Sequence, residues 1–164
     1  PKTSYKILAV CLGNICRSPI AHGLIEHHAL RLSLNVEVDS AGTIDHHSGN
    51  HPDRRSIALM NQNNIDISNQ RSRIFCREDF ERFDLILAMD KQNLLDLHSL
   101  ARNEEEKKKG NKKIFPKQDA NAANSLVIKL PVALICQFHT VCAHISDKYI
   151  SIVAWYKLFL LDDF

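Results

Sequence analysis

The chain has 164 residues, of which 45% are hydrophobic and 24% charged, and its formal net charge is +2 at pH 7. This length and balance are typical of a globular protein, so we expect a single domain over residues 1–164. The small net charge argues against a nucleic-acid or membrane partner. The five cysteines stand at irregular spacing, which argues against a disulfide framework.

Short apolar runs alternate with helical patterns along the first two thirds of the chain. The predicted elements are a strand at Ile7–Val10, a helix at Ile20–Leu32, a strand at Val36–Asp39, a helix at Asp53–Asn63, a strand at Leu85–Met89 and a helix at Lys91–Ala101. The inner face of the first helix is expected to carry Ile20, Leu24, Ala29 and Leu32. This alternation predicts an α/β fold with a parallel sheet, in which ligands bind at the carboxyl ends of the strands.

The first predicted strand leads directly into a loop suited to binding an oxyanion. The sequence there is Cys11-Leu12-Gly13-Asn14-Ile15-Cys16-Arg17-Ser18-Pro19. Backbone N–H groups at a helix start favour an anion, and the same field favours the thiolate form of Cys11. Arg17 offers a planar fork of donors for two phosphate oxygens, and Gly13 is expected to allow a tight turn. Pro19 suits the first turn of the helix.

This loop resembles the Cys-x5-Arg-Ser-Pro signature of the low-molecular-weight protein tyrosine phosphatases. Further segments follow in the family's order, namely Asp39–Thr43, Gly49–Arg55, Ile65–Ser68, Arg71–Arg73, Asp79–Phe80 and Phe83–Asp90. The resemblance covers roughly residues 5–109. It implies a four-stranded parallel sheet flanked by helices, in flavodoxin-like strand order.

The resemblance implies a reaction and a set of site residues. The reaction is hydrolysis of phosphotyrosine or another aryl phosphate monoester through a cysteinyl-phosphate on Cys11, with no cofactor and no metal. Arg17 and the loop amides are expected to stabilise the charge of the transition state, and Ser18 to hydrogen-bond the Cys11 sulfur. The expected phosphate-binding residues are Leu12, Gly13, Asn14, Ile15, Cys16, Arg17 and Ser18.

Supporting roles around the loop are also implied by the resemblance. Ser40 and Asp90 are expected to support the loop residues, although Asp90 at a strand end also suits a helix N-cap. The alternative for Ser18 and Asn14 is a purely structural role as a helix cap or turn residue. Cys16 is expected either to form a reversible disulfide with Cys11 under peroxide or to be a small apolar filler.

Two departures from the family pattern concern the pocket wall and the general acid. His46 stands where the family usually has an aromatic residue. From about Asn111 the family pattern is lost, so we regard 111–164 as an atypical C-terminal segment, produced by a reading-frame change or by divergence. The family's acid follows the pattern Asp-Pro, which does not occur in this chain. Asp119 is the nearest carboxylate and is our candidate acid, with Asp147 next along the chain.

Two rival functions remain at this stage. A thiol-dependent arsenate reductase on the same fold needs resolving cysteines near the pocket, and Cys76 stands alone in its region. The second rival is a catalytically impaired protein that binds phosphotyrosine or phosphate, or a damaged gene product. The expected partners are a phosphotyrosine protein or small aryl phosphate, with inorganic phosphate as product and inhibitor. Because a working thiolate suits a reducing compartment, we expect a cytoplasmic protein, and we expect a monomer.

Overall fold

The computed structural model describes residues 4–101 and Ile114–Phe115, all within one compact unit, Pro1–Pro116. Its elements are β1 (Tyr5–Cys11), α1 (Arg17–Arg31), β2 (Val36–Gly42), α2 (Arg54–Gln62), α3 (Asp79–Arg82), β3 (Leu85–Ala88), α4 (Lys91–Leu100) and β4 (Ile114–Phe115). The strands form one sheet in the order β2-β1-β3-β4, and every pairing is parallel. The predicted α/β fold with a four-stranded parallel sheet in flavodoxin-like order is confirmed.

Strand β1 lies in the interior of the sheet because its residues can be buried on both faces. Residues 7–10 form an unbroken apolar run, and all four are buried. The strand is longer than the predicted Ile7–Val10, because its pairing with β2 runs in register from Tyr5↔Val36 to Cys11↔Gly42. On its other side it pairs with β3 from Ile7↔Leu85 to Val10↔Ala88.

The carboxyl ends of three neighbouring strands meet at one edge of the sheet. Because the strands are parallel, β1 ends at Cys11 beside Gly42 of β2, while Val10 pairs with Ala88 of β3. The loop after Cys11 and the start of α4 after Asp90 therefore gather at this edge.

Helix α1 begins at Arg17, three residues before the predicted start, with Pro19 in its first turn. Ile20, Leu24 and Ala29 are buried as expected. Leu32 is 41% exposed, so its predicted place on the inner face was wrong. The helix ends at Arg31, and Leu32 is its C-cap.

Two short elements were not predicted. Helix α3 is a single turn over Asp79–Arg82, and β4 consists of Ile114 and Phe115. Elements this short carry no measurable hydrophobic period, so only their tertiary contacts define them. Phe80 of α3 packs edge-to-face on Phe75 with ring centroids 4.9 Å apart, and Ile114 lies in the core.

The buried core is made largely of aliphatic and aromatic side chains from the sheet, α3, α4 and the segment before α3. Its members are Leu8, Val10, Ala41, Phe75, Phe80, Phe83, Ile86, Ala88, Leu94, Leu97, Ala101 and Ile114. Among the helices that the structure describes, none is long and apolar enough to cross a membrane. The charged run at Glu104–Lys113 and the candidate acid Asp119 lie outside the described residues.

Candidate active site

The loop between β1 and α1 is held by hydrogen bonds that other segments of the chain donate to its carbonyl groups. The donors are Thr43 N to Cys11 O at 2.9 Å, Ile44 N to Leu12 O at 3.0 Å, Ser72 Oγ to Gly13 O at 3.0 Å and Asp53 N to Ile15 O at 2.7 Å. In a trans peptide the C=O and the next N–H point in opposite directions. The N–H groups that follow these carbonyls therefore face the inside of the loop, as an anion requires.

Cys11 lies at the base of this loop and is only 3% exposed. The N–H of Asn14 donates to Cys11 Sγ at 3.3 Å, which shows that the inner side of the loop faces the sulfur. Ser18 Oγ lies 3.0 Å from the same sulfur. The sulfur therefore receives two polar contacts from the loop and the first turn of α1.

Asn14 is the residue that makes the tight turn. Its φ is +53°, in the left-handed region that asparagine tolerates better than most residues. Gly13 was expected to supply this turn, but its φ is not positive. The missing side chain of Gly13 instead leaves room for a neighbour, because a Cβ there would lie 2.9 Å from His47 Cδ2.

The side chain of Asn14 is buried, at 1% exposure, and both ends of its amide are hydrogen-bonded. Its Nδ2 donates to Ser18 Oγ and to Ser40 Oγ, both at 2.9 Å. Its Oδ1 accepts from the backbone N–H of Arg73 at 2.9 Å. The structure thus brings Ser18 and Ser40 together around Asn14.

Arg17, the first residue of α1, pairs with Asp90, the N-cap residue of α4. Arg17 Nη1 donates to Asp90 Oδ2 in an ion pair. The other carboxylate oxygen of Asp90 accepts from Asn93 N at 2.7 Å, which caps α4. One oxygen of Asp90 therefore caps α4, and the other binds Arg17.

Cys16 is the N-terminal boundary residue of α1 and is half-buried. Burial raises the pKa of its thiol, and the negative charge of Asp53 raises it further. Cys11, Cys16 and Cys76 are all free thiols in the part of the chain that the structure describes.

Ser40 lies next to a half-buried histidine of α1. His22 Nδ1 is 3.4 Å from Ser40 Oγ. Burial lowers the pKa of His22, and the charges of Glu26 and Asp39 oppose this shift. At neutral pH the imidazole beside Ser40 is therefore mostly uncharged.

His46 is exposed and makes an edge contact with His47, with ring centroids 4.6 Å apart. Its assignment to the pocket wall stays a prediction, whereas His47 lies directly against the loop at Gly13. Within residues 4–101 and 114–115 no group of three His, Cys, Asp or Glu side chains is arranged to hold a metal ion.

The sequence did not single out Arg73, Asp39 and Ser72 as parts of this site. Ser72 binds the loop carbonyl of Gly13, and Arg73 binds both Asn14 and Asp39. Two features of the sequence pointed toward them: Asp39 directly precedes the predicted Ser40, and the segments Asp39–Thr43 and Arg71–Arg73 follow the family's order. Asp119 lies outside the described residues, so its place relative to the loop stays a prediction.

Comparison with known proteins agrees with this geometry. The model of the family "Low molecular weight phosphotyrosine protein phosphatase" matches residues 6–154. The chain belongs to this family. The match also runs past residue 109 into the C-terminal segment, where the sequence carries no motif characteristic of the family.

Similar proteins carry the same description. A Drosophila melanogaster low molecular weight phosphotyrosine protein phosphatase 2 is 43% identical over 97 residues, covering 58% of each chain. A Homo sapiens low molecular weight phosphotyrosine protein phosphatase is 45% identical over 94 residues, covering 56% of this chain and 59% of that protein. The aligned part of the chain thus spans less than two thirds of these relatives.

Two solved structures show the same fold as this chain. A protein tyrosine phosphatase from Entamoeba histolytica has a TM-score of 0.61 at 36% identity, covering 68% of this chain and 69% of that one. The protein YfkJ from Bacillus subtilis has a TM-score of 0.65 at 27% identity, covering 96% and 97%.

Proposed function

We propose that this chain is a protein tyrosine phosphatase that hydrolyses phosphotyrosine and other aryl phosphate monoesters through a cysteinyl-phosphate on Cys11. The observation that carries the proposal is the position of the Cys11 sulfur. It lies at the base of a loop whose amides face it, within reach of the Ser18 hydroxyl and the Asn14 N–H. Family membership and the names of the relatives support the same activity.

The reaction has two displacements at phosphorus. The Cys11 thiolate attacks in line, so that an S–P bond forms, the P–O bond to the aryl group breaks, and the leaving oxygen takes up a proton. Water then attacks the phosphorus, the S–P bond breaks, the thiolate is regenerated, and inorganic phosphate leaves. The Arg17 fork and the loop amides bind the equatorial oxygens in both steps.

Ser18 and Asp90 prepare the groups that react. The Ser18 hydroxyl donates to the thiolate, which stabilises Cys11 both before attack and as a leaving group. Asp90 holds Arg17 at the mouth of the loop through their ion pair. Because Asp90 is also fixed by its cap on α4, Arg17 is held by a rigid element.

The proton for the leaving oxygen requires a further group. Asp119 is proposed as this general acid, because it is the carboxylate closest in sequence to the place of the family's Asp-Pro acid. We further propose one phosphatase-like domain over residues 1–164, a monomer that works in the cytoplasm. Its substrates are a phosphotyrosine protein or a small aryl phosphate, and inorganic phosphate inhibits it as product. Arsenate reduction is not favoured, because the similar proteins are named as phosphatases.

Turnover of 4-nitrophenyl phosphate by the purified full chain tests this proposal. Cys11→Ser should lower kcat by more than ~10⁴-fold, the scale expected when a nucleophile is removed. Phosphate should still bind to this variant, because the loop amides and Arg17 remain. Arg17→Ala should lose both turnover and phosphate binding.

Cys76→Ser is the matched control, since Cys76 is an exposed free thiol and should leave kcat unchanged. Activity of Cys11→Ser close to that of the parent would exclude the cysteinyl-phosphate. Phosphate binding without any turnover of aryl phosphates by the parent would instead identify the impaired, binding-only protein.

A further inference from the structure

Arg73 meets the anion loop from a distant part of the chain. Its backbone N–H donates to Asn14 Oδ1, and its carbonyl accepts from Gly42 N at 2.8 Å. The next residue, Ile74, forms a parallel bridge to Gly42, and the preceding Ser72 binds Gly13 O. The segment around Arg73 thus lies between the end of β2 and the loop.

The side chain of Arg73 binds two carboxylates at once. Its Nε and Nη2 donate to Asp39 Oδ2 at 3.1 and 2.9 Å. Its Nη1 and Nη2 donate to the two oxygens of Asp79 at 2.8 and 3.1 Å. Burial alone would lower the pKa of Arg73, but Asp79 and Asp39 raise it overall. The guanidinium therefore stays positively charged at neutral pH.

These contacts form a closed circuit of hydrogen bonds. Asp39 Oδ1 accepts from Ser40 N at 2.7 Å, Ser40 Oγ accepts from Asn14 Nδ2, and Asn14 Oδ1 accepts from Arg73 N. The Arg73 side chain closes the circuit at Asp39. Both ends of the Asn14 amide are therefore fixed through the same arginine, once directly and once through Asp39 and Ser40.

We propose that Arg73 is a positioning residue of the anion loop, acting through Asn14 on the groups that surround the Cys11 sulfur. Asn14 has a left-handed backbone, a conformation that must be held by its surroundings. Its N–H donates to Cys11 Sγ and its Nδ2 orients Ser18. A loosened Arg73 circuit therefore displaces two of the groups that hold the thiolate.

A second function of the guanidinium is to neutralise Asp79, which is 1% exposed. Removing the charge altogether leaves a buried carboxylate without its cation, which destabilises the fold. The informative substitution is Arg73→Lys, which keeps a positive charge near Asp79. A single ammonium lacks the fork needed to bridge both carboxylates, so the circuit opens while the charge balance is preserved.

The positioning role rests on the proposed function, and its test has one readout that needs no turnover. The first readout is kcat and KM for 4-nitrophenyl phosphate. The second is the rate at which iodoacetamide alkylates Cys11 at fixed pH, followed by peptide mass spectrometry, and the phosphate concentration that halves this rate. Thermal unfolding of each variant reports whether it is folded.

Arg73→Lys should lower kcat roughly tenfold with a smaller change in KM, slow Cys11 alkylation and weaken protection by phosphate. Asn14→Ala should lower kcat further, and the double variant Arg73→Lys/Asn14→Ala should match Asn14→Ala alone, because both changes act on one group. Arg71→Lys is the matched control, because Arg71 binds only the carbonyls of residues 68–70 among its described contacts.

Parental values of kcat and of phosphate protection in a folded Arg73→Lys protein would overturn the proposal. So would a double variant whose loss is the product of the two single losses. Should Arg73→Lys not fold, Asp39→Asn opens the same circuit while leaving the Arg73–Asp79 pair intact, and the same readouts decide. A parent without turnover would refute the proposed function alone, since alkylation and phosphate protection still test Arg73.

Discussion

The hydroxyl of Ser18 has one proton, and its surroundings determine where that proton points. Asn14 Nδ2 donates into the oxygen at 2.9 Å, so this contact uses a lone pair and not the proton. The remaining neighbours are Cys11 Sγ at 3.0 Å and Ala41 O at 3.4 Å. Because Ala41 O is far for an O–H···O bond, a Cys11 thiolate is the better acceptor.

Ser18→Ala should therefore slow the second displacement more than the first. Loss of the donor makes the thiolate a poorer leaving group, and a charge-assisted hydrogen bond of ~1.5–3 kcal/mol corresponds to roughly 10–100-fold in rate. Rapid-quench kinetics with 4-nitrophenyl phosphate should show a burst of product followed by slow turnover. Ser99→Ala on the exposed face of α4 is the control and should behave like the parent. A variant whose two steps slow equally would contradict this role of Ser18.

The residues of the loop could be predicted from the sequence because they are contiguous. Cys11, Arg17 and Ser18 lie within eight positions, and the spacing of such residues indicates their chemistry. Arg73 could not be found in this way, because its contact with Asn14 spans 59 positions. The contact is made by the backbone N–H of Arg73, so the type of its side chain gives no sign of it. The ion pair between Arg73 and the buried Asp79 likewise became visible only with the folded chain.

At the level of elements, the start of α2 lies beside the start of α1. Asp53 caps α2 by accepting from Arg55 N at 2.8 Å, and its own N–H binds Ile15 O. The hydrogen bonds from the Arg55 side chain and backbone lower the pKa of Asp53 to about 2. Asp53 is thus ionised at neutral pH, and its charge raises the pKa of Cys16.

Asp53→Asn should speed closure of a Cys11–Cys16 disulfide under mild peroxide. Peroxide oxidises the Cys11 thiolate to a sulfenic acid; the Cys16 thiolate then attacks that sulfur, the S–S bond forms, the S–O bond breaks, and hydroxide leaves and takes up a proton from solvent. Because the pKa of Cys16 is raised, little thiolate exists at pH 7 and closure should accelerate as pH increases. Asparagine keeps the cap on α2 but removes the charge, which lowers the pKa of Cys16 and should raise the closure rate several-fold at pH 7.

Mass spectrometry of the linked peptide against time measures this rate. Asp66→Asn is the control, since Asp66 binds Ser68 N in another loop. Closure of Asp53→Asn at the parental rate would refute the effect of its charge. Absence of a Cys11–Cys16 linkage in the parent would leave Cys16 as the small apolar filler.

The bounds of the elements show where local pattern stops being sufficient. The apolar run predicted the centre of β1, but its ends at Tyr5 and Cys11 depend on the ladder with β2. Helix α1 starts at Arg17, because the loop after β1 ends at Cys16 and leads directly into the helix. The apolar pattern used for the prediction begins only at Ile20. The single turn of α3 and the two residues of β4 exist through tertiary contacts alone.

At the level of the whole molecule, a parallel sheet collects the site from separate parts of the chain. Cys11 ends β1, Ser40 lies near the end of β2, and Asp90 follows β3. In such sheets right-handed crossovers pack the helices on the faces, and ligands bind at the edge where the parallel strands end. The family's acid would have to reach this edge from beyond β4, and this chain has no Asp-Pro there.

The proposed acid, Asp119, lies outside the described residues. Protonation of a leaving oxygen is typically worth ~10²–10⁴ in rate, or roughly 3–5 kcal/mol of barrier. The thiolate, Arg17 and the loop amides stabilise charge on sulfur and phosphate, but they deliver no proton to the departing oxygen. The dependence of kcat/KM on leaving-group pKa thus reports directly whether an acid is in place.

With Asp119 as the acid, kcat/KM should depend only weakly on leaving-group pKa across a series of substituted phenyl phosphates. Asp119→Asn should make this dependence steep, slowing phenyl phosphate and phosphotyrosine by about 10²-fold or more while nearly sparing 4-nitrophenyl phosphate, whose leaving group departs without help. Asp147→Asn serves as the control, because it is the next carboxylate along the chain. A steep dependence already present in the parent would mean that no acid is positioned and that only activated esters are cleaved. A weak dependence that Asp119→Asn leaves unchanged and Asp147→Asn steepens would transfer the role to Asp147.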